Sequence, residues 1–236
     1  MAHLGLSPNR QALLQVAEAI EPLLRDVVFV GGQVAELLVT APAATRVRPT
    51  DDIDVVVGAT TVVEYRKIEL RLEELGLRND FDGPICRWRT NQGHKVDVMP
   101  VDGSIFGFAT QWYPAAITHA TPYSLSDEIT ILIPSAPVFL ATKWDAFVDR
   151  GHDDYLGSHD LEDIITVVAG RPELGAELDS TDPDIRVWLA ARATEFLAHD
   201  LADYAIQGAL PDAVTIPGLL DIVRATFDVM KEGMES

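Results

Sequence analysis

The chain has 236 residues, of which 47% are hydrophobic and 23% are charged, a balance typical of folded proteins rather than collagen-like or disordered chains. Lys and Arg number 18 and Asp and Glu number 37, so the formal net charge is −19. This charge repels phosphate backbones and excludes loose, non-specific coating of DNA. It does not exclude binding of a nucleic acid at a locally basic site.

The cysteine content and the apolar segments of the sequence indicate the cellular compartment. The single cysteine, Cys86, excludes an intramolecular disulfide and a cysteine zinc cluster. No apolar run reaches the length of about 18 residues that a membrane span needs. The N-terminus lacks the basic flank and apolar stretch of a signal peptide. We therefore expect a cytoplasmic protein without a membrane partner.

Hydrophobic periodicity predicts the secondary structure in chain order. The predicted elements are helix 8–25, strand 27–30, helix 33–39, strand 53–57, helix 62–75, strands 85–90, 95–101 and 129–133, and helices 136–150, 158–169, 183–207 and 216–232. Alternating helices and strands followed by helices alone predict an α/β (α+β) fold, with a mixed-sheet domain over 1–134 and a helical domain over 135–236.

The strongest local pattern is Asp52-Ile53-Asp54 at the start of a β-branched strand. Side chains two residues apart on a strand leave the same face, so both carboxylates can bind one hard divalent cation. An acidic turn leading into a strand explains an isolated Asp-x-Asp equally well. The neighbouring motifs therefore decide between the two interpretations.

Two further motifs accompany this pair. The apolar strand that ends in Gly31-Gly32 and runs into a helix lets backbone N–H groups approach a phosphate, although a plain strand-to-helix turn has the same sequence. Asp97 stands between apolar residues in a predicted interior strand, where an unpaired carboxylate is costly to bury. Metal binding beside Asp52 and Asp54 would explain Asp97, and a surface position on an edge strand is the alternative.

Gly31-Gly32, Asp52-x-Asp54 and Asp97, in this order, resemble the DNA polymerase β-like nucleotidyltransferase superfamily over residues 26–100. The resemblance implies a mixed-sheet nucleotidyltransferase core and a nucleoside triphosphate substrate. It also implies Mg²⁺ or Mn²⁺ held by the three carboxylates, with the two glycines contacting phosphates.

A later segment of the sequence resembles one particular branch of this superfamily. Lys143, Arg150 and the Asp160-x-x-Asp163 spacing are similar to a helical segment of the type IV abortive-infection toxin branch and its relatives. This resemblance implies that Lys143 contacts nucleotide phosphates and that Asp160, also assigned to nucleotide binding, orients Lys143 or neighbouring groups. It also implies a toxin–antitoxin role with an antitoxin partner. An exposed helix lysine and a helix-capping carboxylate are the alternatives.

Arginines cluster around the predicted site. Arg46 and Arg48 precede the Asp-x-Asp strand, and Arg87 and Arg89 share one face of a strand near Asp97. In an acidic chain they are candidates for triphosphate or acceptor-phosphate binding, with Arg48 assigned to the nucleotide, although they could simply balance neighbouring acids.

These patterns predict a metal-dependent nucleotidyltransferase that moves a nucleoside monophosphate from a nucleoside triphosphate to an acceptor hydroxyl. The acceptors left open are a tRNA end, a protein and a small molecule. The alternative hypothesis is a catalytically inactive partner-binding protein on the same fold.

Overall fold

The computed structural model describes residues 6–41, 47–151, 153–210 and 218–232. Its helices are α1 (Pro8–Ala19), α2 (Gly32–Leu38), α3 (Val62–Glu74), α4 (Tyr113–Thr118), α5 (Ala136–Arg150), α6 (His159–Gly170), α7 (Leu174–Asp179), α8 (Pro183–Ala198), α9 (Ala202–Ala209) and α10 (Leu219–Glu232). Its strands are β1 (Val27–Val30), β2 (Asp52–Val57), β3 (Arg78–Asn79), β4 (Arg87–Arg89), β5 (Lys95–Pro100), β6 (Ala120–Ser124) and β7 (Thr130–Pro134). None of the described helices is long and apolar enough to cross a membrane.

The first five strands form one mixed sheet in the order β1-β2-β5-β4-β3. β2 and β5 run parallel, and the other neighbouring pairs run antiparallel. β6 and β7 form a separate antiparallel hairpin. The mixed sheet and the helices that follow it confirm the predicted α+β fold class.

Alternation along the central strands separates an apolar face of the sheet from a polar one. Ile53, Val96 and Trp88 pair in register across β2, β5 and β4, and all three side chains are buried. Helix α3 is anchored to the sheet by Tyr65, whose hydroxyl donates to the carbonyl oxygen of Val98 at 2.8 Å. The intervening residues of β2 and β5 therefore place their side chains on the opposite face.

Two helices are shorter than the periodicity predicts. α1 ends at Ala19 and a 3₁₀ turn follows, because Pro22 has no N–H to donate to a continuing helix. The predicted helix 183–207 is interrupted after Ala198, where His199 adopts an extended ψ of 135°. The Nδ1 atom of His199 accepts a hydrogen bond from the backbone N–H of Leu201 and stabilises the start of a separate helix.

The predicted strand 85–90 is also shorter in the structure. The backbone N–H of Arg87 donates to the carbonyl oxygen of Pro84 at 2.9 Å, so a turn occupies the two residues before the strand. The first paired residue of β4 is consequently Arg87, in register with Asp97 of β5.

Contacts among the described residues divide the chain into two units. The first unit contains the residues up to Val34 and those from Pro49 to Ser135, including both sheets. The second unit contains the residues from Ala35 to Arg48 and those from Ala136 onward. The domain division at residue 134 stays a prediction of the sequence.

The core of the second unit is aromatic. The ring centroids of Phe196 and Phe227 are 4.8 Å apart, and the Trp144 ring contacts Phe196 at a centroid distance of 5.9 Å. These three side chains are buried and come from α5, α8 and α10. Aromatic packing of this kind stabilises the association of these three helices.

Candidate functional site

A row of charged side chains crosses the polar face of the sheet in the first unit. Asp54 of β2 pairs with Asp97 of β5, and Asp97 pairs in turn with Arg87 of β4. Residues in register on neighbouring strands project from the same face, and Asp52 joins that face because it precedes Asp54 by two residues. The register therefore brings the three predicted carboxylates and one arginine onto the same surface.

Arg87 joins two of these carboxylates. Its Nε and Nη2 atoms donate to Oδ1 and Oδ2 of Asp97, each at 2.7 Å, and Nη2 also lies 3.0 Å from Oδ2 of Asp52. The Asp97 side chain is 10% exposed, the Arg87 side chain 17% and the Asp52 side chain 42%. Hydrogen bonding to Asp97 raises the pKa of Arg87, which stays positively charged. The burial of Asp97 is thus compensated by a bidentate ion pair.

The glycine turn contacts the same site through Asp54. Gly31 has a φ of +76°, and a Cβ atom at this position would lie 2.0 Å from Oδ2 of Asp54. The next residue, Gly32, begins α2. Glycine is needed at residue 31 both for its left-handed backbone and for the close approach of the carboxylate. The turn and the Asp-x-Asp strand, predicted as separate motifs, are therefore in direct contact.

Sequence reasoning missed two side chains that fix the beginning of β2. Gln33 is 1% exposed, and its Nε2 donates to the carbonyl oxygens of Thr50 and Asp52 at 2.9 and 3.4 Å. Asn9, also buried, accepts a hydrogen bond from the Thr50 backbone N–H at 3.2 Å. A polar Gln directly after Gly31-Gly32 and before apolar residues is the pattern from which Gln33 could have been found.

The carboxylates on this face are ligands of the chemical type that a divalent cation binds. Carboxylate oxygens are the ligands that Mg²⁺ prefers, and one cationic nitrogen of Arg87 already lies within 3.0 Å of oxygens from both Asp52 and Asp97. Across the described ranges, no group of three or more His, Cys, Asp or Glu side chains is assembled as a metal site. Two carboxylates thus converge on one positive charge, and the third, Asp54, is paired in register with Asp97.

Cys86, which precedes Arg87, does not add a nucleophile to the site. Its side chain is 3% exposed, and burial raises the pKa of the thiol to about 12. The thiolate is the reactive form of cysteine, so a thiol with this pKa is inert at neutral pH.

A second charged cluster lies in the second unit and is centred on Lys143. The Nζ atom is 2.6 Å from Oδ2 of Asp163 and 3.0 Å from Oδ1 of Asp160, and the lysine is 7% exposed. Ser158 caps α6, and the i, i+3 spacing places both carboxylates on one helix face. Lys143 is therefore not an exposed helix lysine, and its ammonium forms an ion pair with Asp160.

Burial and ion pairing shift the pKa values of the groups in this cluster in opposite directions. Burial alone would lower the pKa of Lys143, but Asp163 and Asp160 outweigh it and raise the pKa above the ordinary value. Burial would raise the pKa of Asp160, whereas Lys143 and Arg150 lower it. Arg150 donates to both oxygens of Asp160, at 3.1 and 3.2 Å. Lys143 and Asp160 are therefore both charged at neutral pH.

The remaining predicted arginines lie in different surroundings. Arg48 belongs to the second unit, with Nη2 3.7 Å from Oδ2 of Asp163 and Nε 3.6 Å from Oε2 of Glu162. Arg89 pairs with Asp80 at 2.8 Å, away from the partners of Arg87. Arg46 lies outside the described residues. The pairing of Arg87 with the predicted metal ligands was not foreseen from the sequence.

No protein-family model and no curated protein matches the chain. Among solved structures, the crystal structure of JHP933 from Helicobacter pylori is similar over 98% of this chain and 95% of that chain, with 11% identity and a TM-score of 0.47. A Helicobacter pylori protein described as a "putative nucleotidyltransferase" is similar over 98% of both chains, with 11% identity and a TM-score of 0.46. Both TM-scores lie below 0.5, so neither likeness bears on the activity.

Proposed function

We propose that the protein is a metal-dependent nucleotidyltransferase, which transfers a nucleoside monophosphate from a nucleoside triphosphate to an acceptor hydroxyl. One observation carries the proposal. Asp52 and Asp97 converge on a single positive charge, on the same sheet face as Asp54, and Asp54 lies against the Gly31 turn. Three carboxylates gathered on one sheet face could together hold the divalent ions that stabilise the attacking and leaving oxygens in nucleotidyl transfer.

Each residue has a distinct task in this reaction. Asp52, Asp54 and Asp97 would hold Mg²⁺ or Mn²⁺, which when bound would neutralise phosphate charge and polarise the α-phosphoryl group. The backbone at Gly31 and Gly32 would contact phosphate oxygens. The acceptor oxygen forms a bond to the α-phosphorus as the bond from that phosphorus to the pyrophosphate oxygen breaks, and the hydroxyl proton passes to a carboxylate oxygen of Asp97.

The acceptor and the biological setting come from the resemblance alone. A tRNA end, a protein and a small hydroxyl compound all stay predictions, as do the toxin role and an antitoxin partner. Contact of Lys143, Arg48 and Asp160 with the nucleotide is likewise a prediction. The described partners of the Lys143 ammonium are Asp160 and Asp163, which support a role in stabilising the second unit.

A labelling experiment tests the proposed function. The protein is incubated with Mg²⁺ or Mn²⁺, a cell extract and each of the four ribonucleoside triphosphates labelled at the α-phosphate. We expect one or more of them to label a macromolecular or small-molecule fraction and to release pyrophosphate. Asp52→Asn should abolish the labelling, whereas Asp51→Asn, an exposed carboxylate next to it in the chain, should preserve it.

The two hypotheses predict different outcomes of this experiment. Labelling that is lost in Asp52→Asn and retained in Asp51→Asn supports the enzyme. Absence of labelling with every triphosphate, together with no metal-dependent binding of a triphosphate, would favour the inactive partner-binding protein. Label in the RNA, protein or small-molecule fraction identifies the acceptor class.

A further inference from the structure

Arg87 occupies the position between Asp52 and Asp97 where a cation is required by the proposed function. Both oxygens of Asp97 accept hydrogen bonds from its guanidinium, and Oδ2 of Asp52 contacts the same Nη2 atom. A divalent ion held by both Asp52 and Asp97 on this side of the carboxylates, at the usual ligand distance of about 2.0–2.6 Å, would need the space that the guanidinium of Arg87 fills. Metal and Arg87 therefore compete for this position between Asp52 and Asp97.

Electrostatics makes the two arrangements compete rather than coexist. A divalent ion bound by Asp97 would lie within a few ångströms of a guanidinium whose pairing with Asp97 is bidentate and largely shielded from solvent. Repulsion between like charges at such a separation is strong when screening by water is weak. Metal binding therefore favours movement of Arg87 to another anionic partner.

The loop before β4 permits this movement. A Cβ atom on Gly83 would lie 2.8 Å from Cδ of Arg87, so the loop is in close contact with the arginine side chain. The loop is held at its buried ends, Asp80 and Cys86, but between them Phe81 is 93% exposed and Ile85 62% exposed. A segment with few buried apolar contacts can shift at little cost to the core.

We propose that Arg87 is an internal counter-cation, which neutralises Asp52 and Asp97 until the metal arrives and then binds the triphosphate. The inference rests on the proposed function and adds a role for a residue outside the carboxylate trio. A guanidinium matches phosphate oxygens as well as it matches a carboxylate, so the triphosphate is the chemically suited new partner. The exchange couples metal binding to binding of the nucleotide phosphates.

Two titrations of the whole chain test this exchange. The first measures the affinity for Mn²⁺ alone by electron paramagnetic resonance. The second measures the affinity of the preformed Mn²⁺–tripolyphosphate complex by calorimetry at saturating Mn²⁺. Arg87→Gln should bind Mn²⁺ about tenfold more tightly than wild type and should bind the polyphosphate complex more weakly by a similar factor. A purely structural role of Arg87 would move both affinities in the same direction.

Matched variants distinguish a failure of the proposed metal site from a failure of the counter-cation proposal. Arg89→Gln, on the same strand but paired with Asp80, should resemble wild type in both titrations. Asp52→Asn should lose Mn²⁺ binding, and if it does not, the metal site of the proposed function is wrong. If Asp52→Asn loses Mn²⁺ but Arg87→Gln shows any other combination of shifts, the counter-cation alone is wrong. Should Arg87→Gln not fold, Arg87→Lys replaces it, with the same signs and smaller shifts expected.

Discussion

Gly31 lies so close to Asp54 that a Cβ atom on residue 31 would be 2.0 Å from the carboxylate oxygen Oδ2. The contact explains why the turn after β1 has glycine at this position. It also joins two sequence motifs that are separated along the chain into one structural feature on the polar face of the sheet. Replacing this glycine should therefore affect both stability and the position of Asp54.

Gly31→Ala should destabilise the protein by about 2–4 kcal/mol and reduce nucleotidyl transfer, because it adds a steric clash to an unfavourable backbone conformation. Gly93→Ala is the matched control, since Gly93 has a φ of +91° and no atom within 4 Å of a Cβ placed there. Free energies of unfolding from urea denaturation should show the larger loss for Gly31→Ala. Equal losses in the two variants would mean that backbone strain alone operates and that the contact with Asp54 is unimportant.

Asp54→Asn should lower nucleotidyl transfer at least about 100-fold without unfolding the protein, because one negative charge is removed from a set of three carboxylates. Steady-state kinetics at saturating Mg²⁺ measures the loss, and circular dichroism checks the fold. Asp51→Asn, which changes the same charge at an exposed position, should retain wild-type kcat. Near wild-type turnover in Asp54→Asn would remove this residue from the proposed metal ligands.

Lys143→Met should destabilise the protein by about 3–5 kcal/mol, because Asp160 and Asp163 would lose their buried counter-charge. Lys231→Met, at an exposed position of α10, should change stability by no more than about 0.5 kcal/mol. Denaturation of both variants gives the comparison. A similarly small effect of Lys143→Met would show that the lysine is not a structural anchor of the second unit.

The contribution of Asp160 to stability should depend on pH. Lys143 and Arg150 hold the folded-state pKa of Asp160 below its ordinary value of 3.8, despite the opposing effect of burial. The stabilisation is therefore fully present above that ordinary value and is lost as the pH falls through the lower, folded-state pKa. The unfolding free energy of wild type minus that of Asp160→Asn should stay constant from pH 7 to pH 5 and decrease below about pH 4.

Asp228→Asn, an exposed change of the same charge in α10, controls for the altered net charge in this series. At each pH, the free energy of unfolding of Asp160→Asn is subtracted from that of wild type and from that of this control. A difference that already declines between pH 7 and pH 5 would contradict the assigned direction of the pKa shift.

Local sequence patterns were sufficient for several parts of the site. The two-residue period of a strand placed Asp52 and Asp54 on one face, and a strand ending in two glycines predicted the turn that contacts Asp54. The helix predicted over 158–169 begins at His159 in the structure, with Ser158 as its N-cap. Each of these features depends on interactions among residues close together in the chain, and for this reason the amino-acid sequence predicts them well.

Tertiary structure alone decided the ionic partners. Arg87 binds Asp97 because β4 and β5 pair with those residues in register, and it reaches Asp52 only because β2 lies on the other side of β5. Lys143 is buried because α5 packs against α6. This packing brings the lysine to Asp160, seventeen residues away, and to Asp163. Gln33 similarly bonds to the backbone of a strand far along the chain. A lysine, arginine or glutamine has the same local pattern whether it faces solvent or a carboxylate, so only strand register and helix packing could determine which charges meet.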